Sequence, residues 1–113
     1  MEDAASPLPF LIVTTDDVPG RQVAACLGLV KGSTVRAKHV GSDIVAGLRS
    51  LVGGEVLEYA ALLAGAREQA IDRMVAQARG MGADAVVGMR LETSTITHAA
   101  SEVIAYGTAV RLR

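Results

Sequence analysis

Residues 55–79 carry a helical pattern whose apolar arc is too wide for a helix that rests on one surface. With Glu55 at zero and about 100° per residue, Ala66, Tyr59, Ala70, Leu63, Met81, Val56 and Met74 fall between about 20° and 100°. Ala60, Ala78, Ile71, Ala64, Leu57 and Val75 fall between about 140° and 200°. The arc therefore spans about 180°, against roughly 100° for a helix covering a single face. Such a helix is about 37 Å long, against a diameter of roughly 26–35 Å for a domain of this size. One small sheet shields only part of that surface. Half of the arc is expected against the chain's own sheet and half against another copy. Arg67 falls at about 120°, between the two apolar halves. A guanidinium there must snorkel to water or be paired, because an uncompensated buried charge is costly. Asp43, Asp84 and Glu92 are the candidate partners.

The rest of the chain reads as short strands around this helix. Residues 1–9, acidic and closed by Pro7 and Pro9, read as a loosely ordered tail, and residues 10–113 as one domain. Residues 10–15 form a short strand rich in β-branched side chains, stopped by Asp16, Asp17, Pro19 and Gly20. Residues 22–30 and 33–40 look extended, and Lys31 and Gly32 between them fit either a hairpin turn or a bend. Gly28 inside the first run suggests a bulge or a close backbone approach. Ser42 or Asp43 can cap a short helix carrying Ile44, Val45, Leu48 and Leu51, with Gly53 and Gly54 as its stop. Gly80 or Gly82 marks the exit of the long helix. Residues 85–91 and 102–112 are two further strands, expected to pair antiparallel and joined by the polar stretch 93–101. The expected fold is α+β: a mostly antiparallel sheet of about four to five strands packed on one long helix, plus one short helix.

Composition narrows the classes of function. Eleven basic residues face 12 acidic ones in the 113-residue chain, a net charge of −1, which leaves no excess to displace counterions from nucleic acid. One cysteine cannot form a disulfide within the chain. Residues 1–3 are acidic where an export signal needs positive charge, and nothing approaches the ~20 apolar residues of a membrane span. A soluble, cytoplasmic protein is expected. Phe10, Tyr59 and Tyr106 are the only aromatics, so the core is built from small pieces and association with other copies is a physical remedy.

The motifs favour ordinary structural roles. Residues 80–85 match the letters G-x-G-x-x-A of a dinucleotide fingerprint, but they follow a helix and open a strand, the reverse of what that motif requires. They read as a helix exit. The candidate metal ligands are Cys26, His39 and His98, widely separated and without the spacing of a metal site. Taken singly, Cys26 reads as a small buried strand residue, His39 as a residue near a strand end and His98 as part of a polar loop. A site where one histidine recurs about an oligomer axis stays open. No nucleophile elbow is present, and Cys26 has no evident base. Thr14 and Thr15 end the first strand with two hydroxyls that can line a pocket or simply terminate it.

Several segments, in order and spacing, resemble the YbjQ-like family of small bacterial and archaeal proteins, which carries a heavy-metal-binding label. They are Val13-Thr14-Thr15, Gly53-Gly54 with Tyr59 beyond, Ala66-Arg67, Gly82-Ala83-Asp84-Ala85-Val86-Val87-Gly88 and Gly107-Thr108-Ala109-Val110. The resemblance covers nearly the whole chain from about Leu11. It implies a fold related to the dodecin subunit, assembled into a ring, typically a pentamer, and it implies no established reaction. Family positions that can line a pocket map to Thr14, Thr15, Asp43, Tyr59, Arg67 and Asp84. The chain departs from the family in its tail and in residues 93–101, where His98 stands.

The expectation is a non-enzymatic, ring-forming module that binds a divalent or heavy-metal ion or a small ligand at subunit interfaces, without nucleic-acid or membrane partners. Its rivals are a purely structural homo-oligomer and a small enzyme using an inter-subunit pocket with Arg67, Tyr59 and Asp84.

Overall fold

A computed structural model describes residues 9–37, 54–98 and 100–113, with helix side chains from residue 61 onward. Four strands and one helix are present among them: β1 (Leu11–Ile12), β2 (Val23–Ala37), α1 (Gly54–Gly80), β3 (Ala85–Thr97) and β4 (Ala100–Leu112). The sheet runs β1-β3-β4-β2 and is mixed. β3 and β4 form the expected antiparallel hairpin, β4 pairs antiparallel with β2, and β1 lies parallel to β3. The short helix expected to begin at Ser42 or Asp43 lies outside the described residues, as do residues 1–8 of the tail.

The helix lies on one face of the sheet, above β2 and β4, and barely touches β3. Ala66, Ala70, Met74 and Ala78, spaced four apart, form its fully buried stripe. They meet Val30, Val86, Val103, Ala105 and Ala109 in one apolar cluster, with Leu63, Ile71 and Val75 half-buried at its flanks. The alanines that looked like a thin core are what lets the helix lie so close to the sheet. At Gly32 the approach is closest. A Cβ there would collide with the Ala70 carbonyl oxygen and the Met74 nitrogen, and would lie 2.7 Å from Arg73 Cβ. Lys31 and Gly32 therefore do not form a hairpin turn: they lie within β2, one strand of 15 residues that passes beneath the helix.

β2 is also an edge strand, and the helix reaches over that edge. The Lys31 backbone N–H donates to Gln77 Oε1 at 2.7 Å, and Arg73 Nη1 donates to the Ser33 carbonyl at 2.6 Å. Two main-chain groups that would otherwise offer pairing to a stray strand are thus occupied.

Glycines shape the strands where the backbone turns left-handed. Gly28, at φ +119°, sits at the register shift between Cys26 and its neighbours, so the expected bulge is present. Gly82, at φ +81°, closes the helix. The Ala83 N–H donates to the Ala78 carbonyl and the Gly82 N–H to the Arg79 carbonyl, a Schellman closure of the last turn. Residues 80–85 are therefore a helix exit running into β3.

Two strand readings change. Residues 93–97 belong to β3 and residues 100–101 to β4, so the hairpin turns at His98 rather than across a nine-residue loop. Thr93, Ser94 and Thr95 are exposed on both faces of the sheet, and without one buried face they lack the apolar–polar alternation that marks a strand. Cys26 is exposed rather than buried, lying at the bulge on the outer strand.

A second, smaller cluster covers one end of the opposite sheet face. Val18, in the connection from β1 to β2, folds over Ala85, Val87 and Val110, with Leu11, Val13 and Leu112 around them.

Candidate functional site

The expected site residues fall in three separate places. Thr14 and Thr15 follow β1, where the chain runs beside a left-handed glycine of β3, Gly88 at φ +62°. The Val13 N–H donates to the Val86 carbonyl, the Gly88 N–H to the Thr15 carbonyl and the Met89 N–H to the Val13 carbonyl, which extends the parallel pairing beyond Ile12. Arg90 Nη1 donates to the Thr14 carbonyl at 3.0 Å, and the Thr15 hydroxyl donates to the Asp17 carbonyl at 2.6 Å. The Thr15 side chain thus serves the turn into residues 16–21.

Arg67 is exposed on the helix, and the pair with Asp84 or Glu92 is not formed within the chain. Asp84 lies past the helix exit, some four turns of helix beyond Arg67. Its Oδ2 accepts the Leu112 backbone N–H at 2.9 Å, tying the end of β4 to the start of β3. Glu92 Oε2 accepts the Tyr106 hydroxyl at 3.2 Å. Tyr106 alternates with the buried helix-facing residues of β4, so this pair sits on the sheet face away from the helix. Asp43 and the Tyr59 side chain lie outside the described residues.

The candidate metal ligands do not converge in one chain. Cys26 pairs with Val110 at one end of β4, while His98 stands at the hairpin tip beyond Ala100 at the other. Ten residues of strand separate those ends, about 34 Å at ~3.4 Å per residue, whereas ligands to one ion sit within about 2.3 Å of it. His39 lies outside the described residues. Among the described residues, no three of His, Cys, Asp and Glu are grouped to hold an ion. The residues described do not fit a heavy-metal centre within a single copy.

One cleft does form, where the ends of several elements meet. It has a volume of about 450 Å³ and is lined by Pro9, Phe10, Arg21, Arg79, Asp84 and Leu112 among others. Arg79, in the last turn of the helix, lies over the Phe10 ring at 4.9 Å from its centroid. Arg21 Nε donates to the Arg113 carbonyl at 3.4 Å, and Arg111 Nε donates to the Gly82 carbonyl at 3.2 Å. Of the described expected site residues, Asp84 alone belongs to this cleft. Phe10, Arg21, Arg79 and Leu112 come from four places in the sequence, and no period or motif links them.

These features define a class: a small α+β chain in which one helix crosses a mixed four-stranded sheet, with no described helix long and apolar enough to span a membrane. The chain belongs to the YbjQ-like family, described as "Putative heavy-metal-binding", which matches residues 10–113. A UPF0145 protein of Archaeoglobus fulgidus is 56% identical over 104 residues, 92% of this chain and 96% of that protein. A UPF0145 protein of Thermus thermophilus is 53% identical over 105 residues, 93% and 92% of the two chains. Among solved structures, a protein of unknown function from the DUF74 family of Pediococcus pentosaceus matches with a TM-score of 0.53 at 14% identity, covering 90% of this chain and 96% of that one. That likeness supports the fold. The family thus reaches both archaea and bacteria.

Proposed function

We propose that this chain is the dodecin-like subunit of a non-catalytic, cytoplasmic homo-oligomeric ring, which takes a metal ion or small ligand where copies meet. The observation that carries the reading is the outer edge of β3. Residues 90–96 are held by β4 on one side only: beyond Met89 no strand among the described residues pairs with their other edge, and every one of them is exposed. Leu91 is 39% and Ile96 54% exposed. Leu91 sits beside buried Ala105, on the helix side of the sheet, at a place the helix does not reach. An edge of this length with β-branched and apolar side chains is a template for strand pairing unless something covers it.

The proportions of the chain support the same reading. It measures 60 × 28 × 22 Å, and its 15-residue strand alone is about 50 Å long. A globule of this size would be roughly 26–35 Å across. An extended sheet with a helix on part of one face leaves surface for neighbours. Because Cys26 and His98 are apart within a copy, donors from different copies are the way this chain assembles a metal site.

Light scattering of the purified protein is expected to return a multiple of 11.7 kDa, about 58 kDa for five copies. Ile96→Lys places a charge on the exposed edge without touching the core, and is expected to lower that mass. A folded particle of about 12 kDa at all dilutions overturns the reading. For the ligand, chelator-treated protein titrated with zinc is expected to show saturable uptake at micromolar metal. That uptake should be lost in the triple variant Cys26→Ala, His39→Ala, His98→Ala. An intact ring with no uptake removes the metal and leaves a structural oligomer.

A further inference from the structure

We propose that the cleft between the helix exit, β1 and the end of β4 binds a small organic anion, one carboxylate or phosphate group carried on an apolar body. The proposal does not rest on the assembly proposed above, since the cleft is complete within one chain. Its volume of about 450 Å³ lies in the range of about 300–1,000 Å³ typical of small-molecule sites.

The lining sorts into a floor and a head-group end. Phe10 and Leu112, both half-buried, supply apolar and aromatic surface. Arg21 and Arg79 supply two guanidinium groups. The Arg79 guanidinium carbon lies over the Phe10 ring at 4.9 Å from its centroid, a contact that consumes none of its N–H donors. Among the described residues Arg79 has no carboxylate partner and no hydrogen-bond acceptor. Arg21 spends only Nε, on the Arg113 carbonyl. Planar guanidinium groups with unused N–H donors are suited to carboxylate and phosphate oxygens.

Two features oppose an anion here, and both are already engaged. Asp84, the one carboxylate side chain among the described lining residues, has Oδ2 committed to the Leu112 N–H. The helix C-terminus is the negative pole of its dipole. Its last carbonyls are closed by the Ala83 and Gly82 N–H groups, and Arg111 adds a further positive charge at Gly82. Among the described side chains of this corner, the positive charges of Arg21, Arg79 and Arg111 outnumber the carboxylate of Asp84.

The test titrates the full chain with phenyl phosphate, benzoate, inorganic phosphate and benzyl alcohol, read by calorimetry and by amide NMR shifts. Phenyl phosphate or benzoate is expected to saturate, and whichever binds tighter identifies the head group. Inorganic phosphate is expected to bind about tenfold more weakly, lacking the body that meets Phe10 and Leu112, and benzyl alcohol is expected not to bind. Arg79→Gln removes the guanidinium charge and keeps a polar side chain, and is expected to weaken binding about tenfold, with the mass and melting temperature unchanged. Arg21→Gln is a second, independent variant with the same expectation. The proposal is overturned if neither organic anion saturates below about 10 mM, if inorganic phosphate binds as well as phenyl phosphate, or if both variants bind like the parent. Mass measured in the same samples separates this outcome from failure of the ring.

Discussion

Gly32→Ala is expected to destabilise the protein by about 3 kcal/mol, at the upper end of overpacking effects. The added methyl would meet the helix main chain at Ala70 and Met74 rather than the tip of a movable side chain. Relief requires the whole helix to lift from β2. That would weaken the Lys31–Gln77 and Ser33–Arg73 hydrogen bonds, which depend on the same approach. Urea unfolding at a fixed protein concentration measures the effect as a lower midpoint with an unchanged slope. Gly65→Ala is the control. Gly65 lies in the same helix, is exposed, and has nothing within 4 Å of an added Cβ. There the substitution is expected to stabilise by about 0.5–1 kcal/mol through helix propensity. Opposite signs at two glycines would show that the spacing between helix and strand, and not glycine itself, decides. Equal tolerance at both sites would refute the close contact.

Met74→Ala is expected to cost about 2–5 kcal/mol, by loss of buried surface together with the cavity left behind. Met74 leads the fully buried side chains by size, and it sits at the centre of the stripe formed by Ala66, Ala70 and Ala78. Its neighbours on the helix are alanines, which have no atoms to spare for refilling the gap. Met74→Leu, which nearly conserves volume, is expected to cost less than about 1.5 kcal/mol. Similar losses for the two variants would mean that the site does not depend on filling space.

Much of the scaffold was legible from local pattern. The helical period placed the long helix within a residue of its observed ends, and Gly82 and Gly28 carried the signals of a helix exit and a bulge. Turn signals and β-branched runs located the cores of β3 and β4. The glycine pair at residues 80 and 82 was separable from a nucleotide motif by the order of the elements on either side.

The parts that escaped this reading depend on contacts between distant residues. Gly32 resembles a turn residue until the helix is laid above it, since nothing near residue 32 records Ala70 or Met74. The parallel place of β1 follows from hydrogen bonds to residues more than 70 positions away. Thr93, Ser94 and Thr95 read as loop because neither of their faces is buried in one copy. Arg67 lacks two of its expected partners because Asp84 and Glu92 sit beyond the helix end and on the far face of the sheet. The cleft escaped for the same reason, joining Phe10, Arg21, Arg79 and Leu112 across almost the full length of the chain. Periodicity records which side of an element turns from water, so it can be read along one segment. Which segments then meet is settled by packing in three dimensions, and in this protein that packing decides where the strand runs on, where its edge stays open and where two arginines come together.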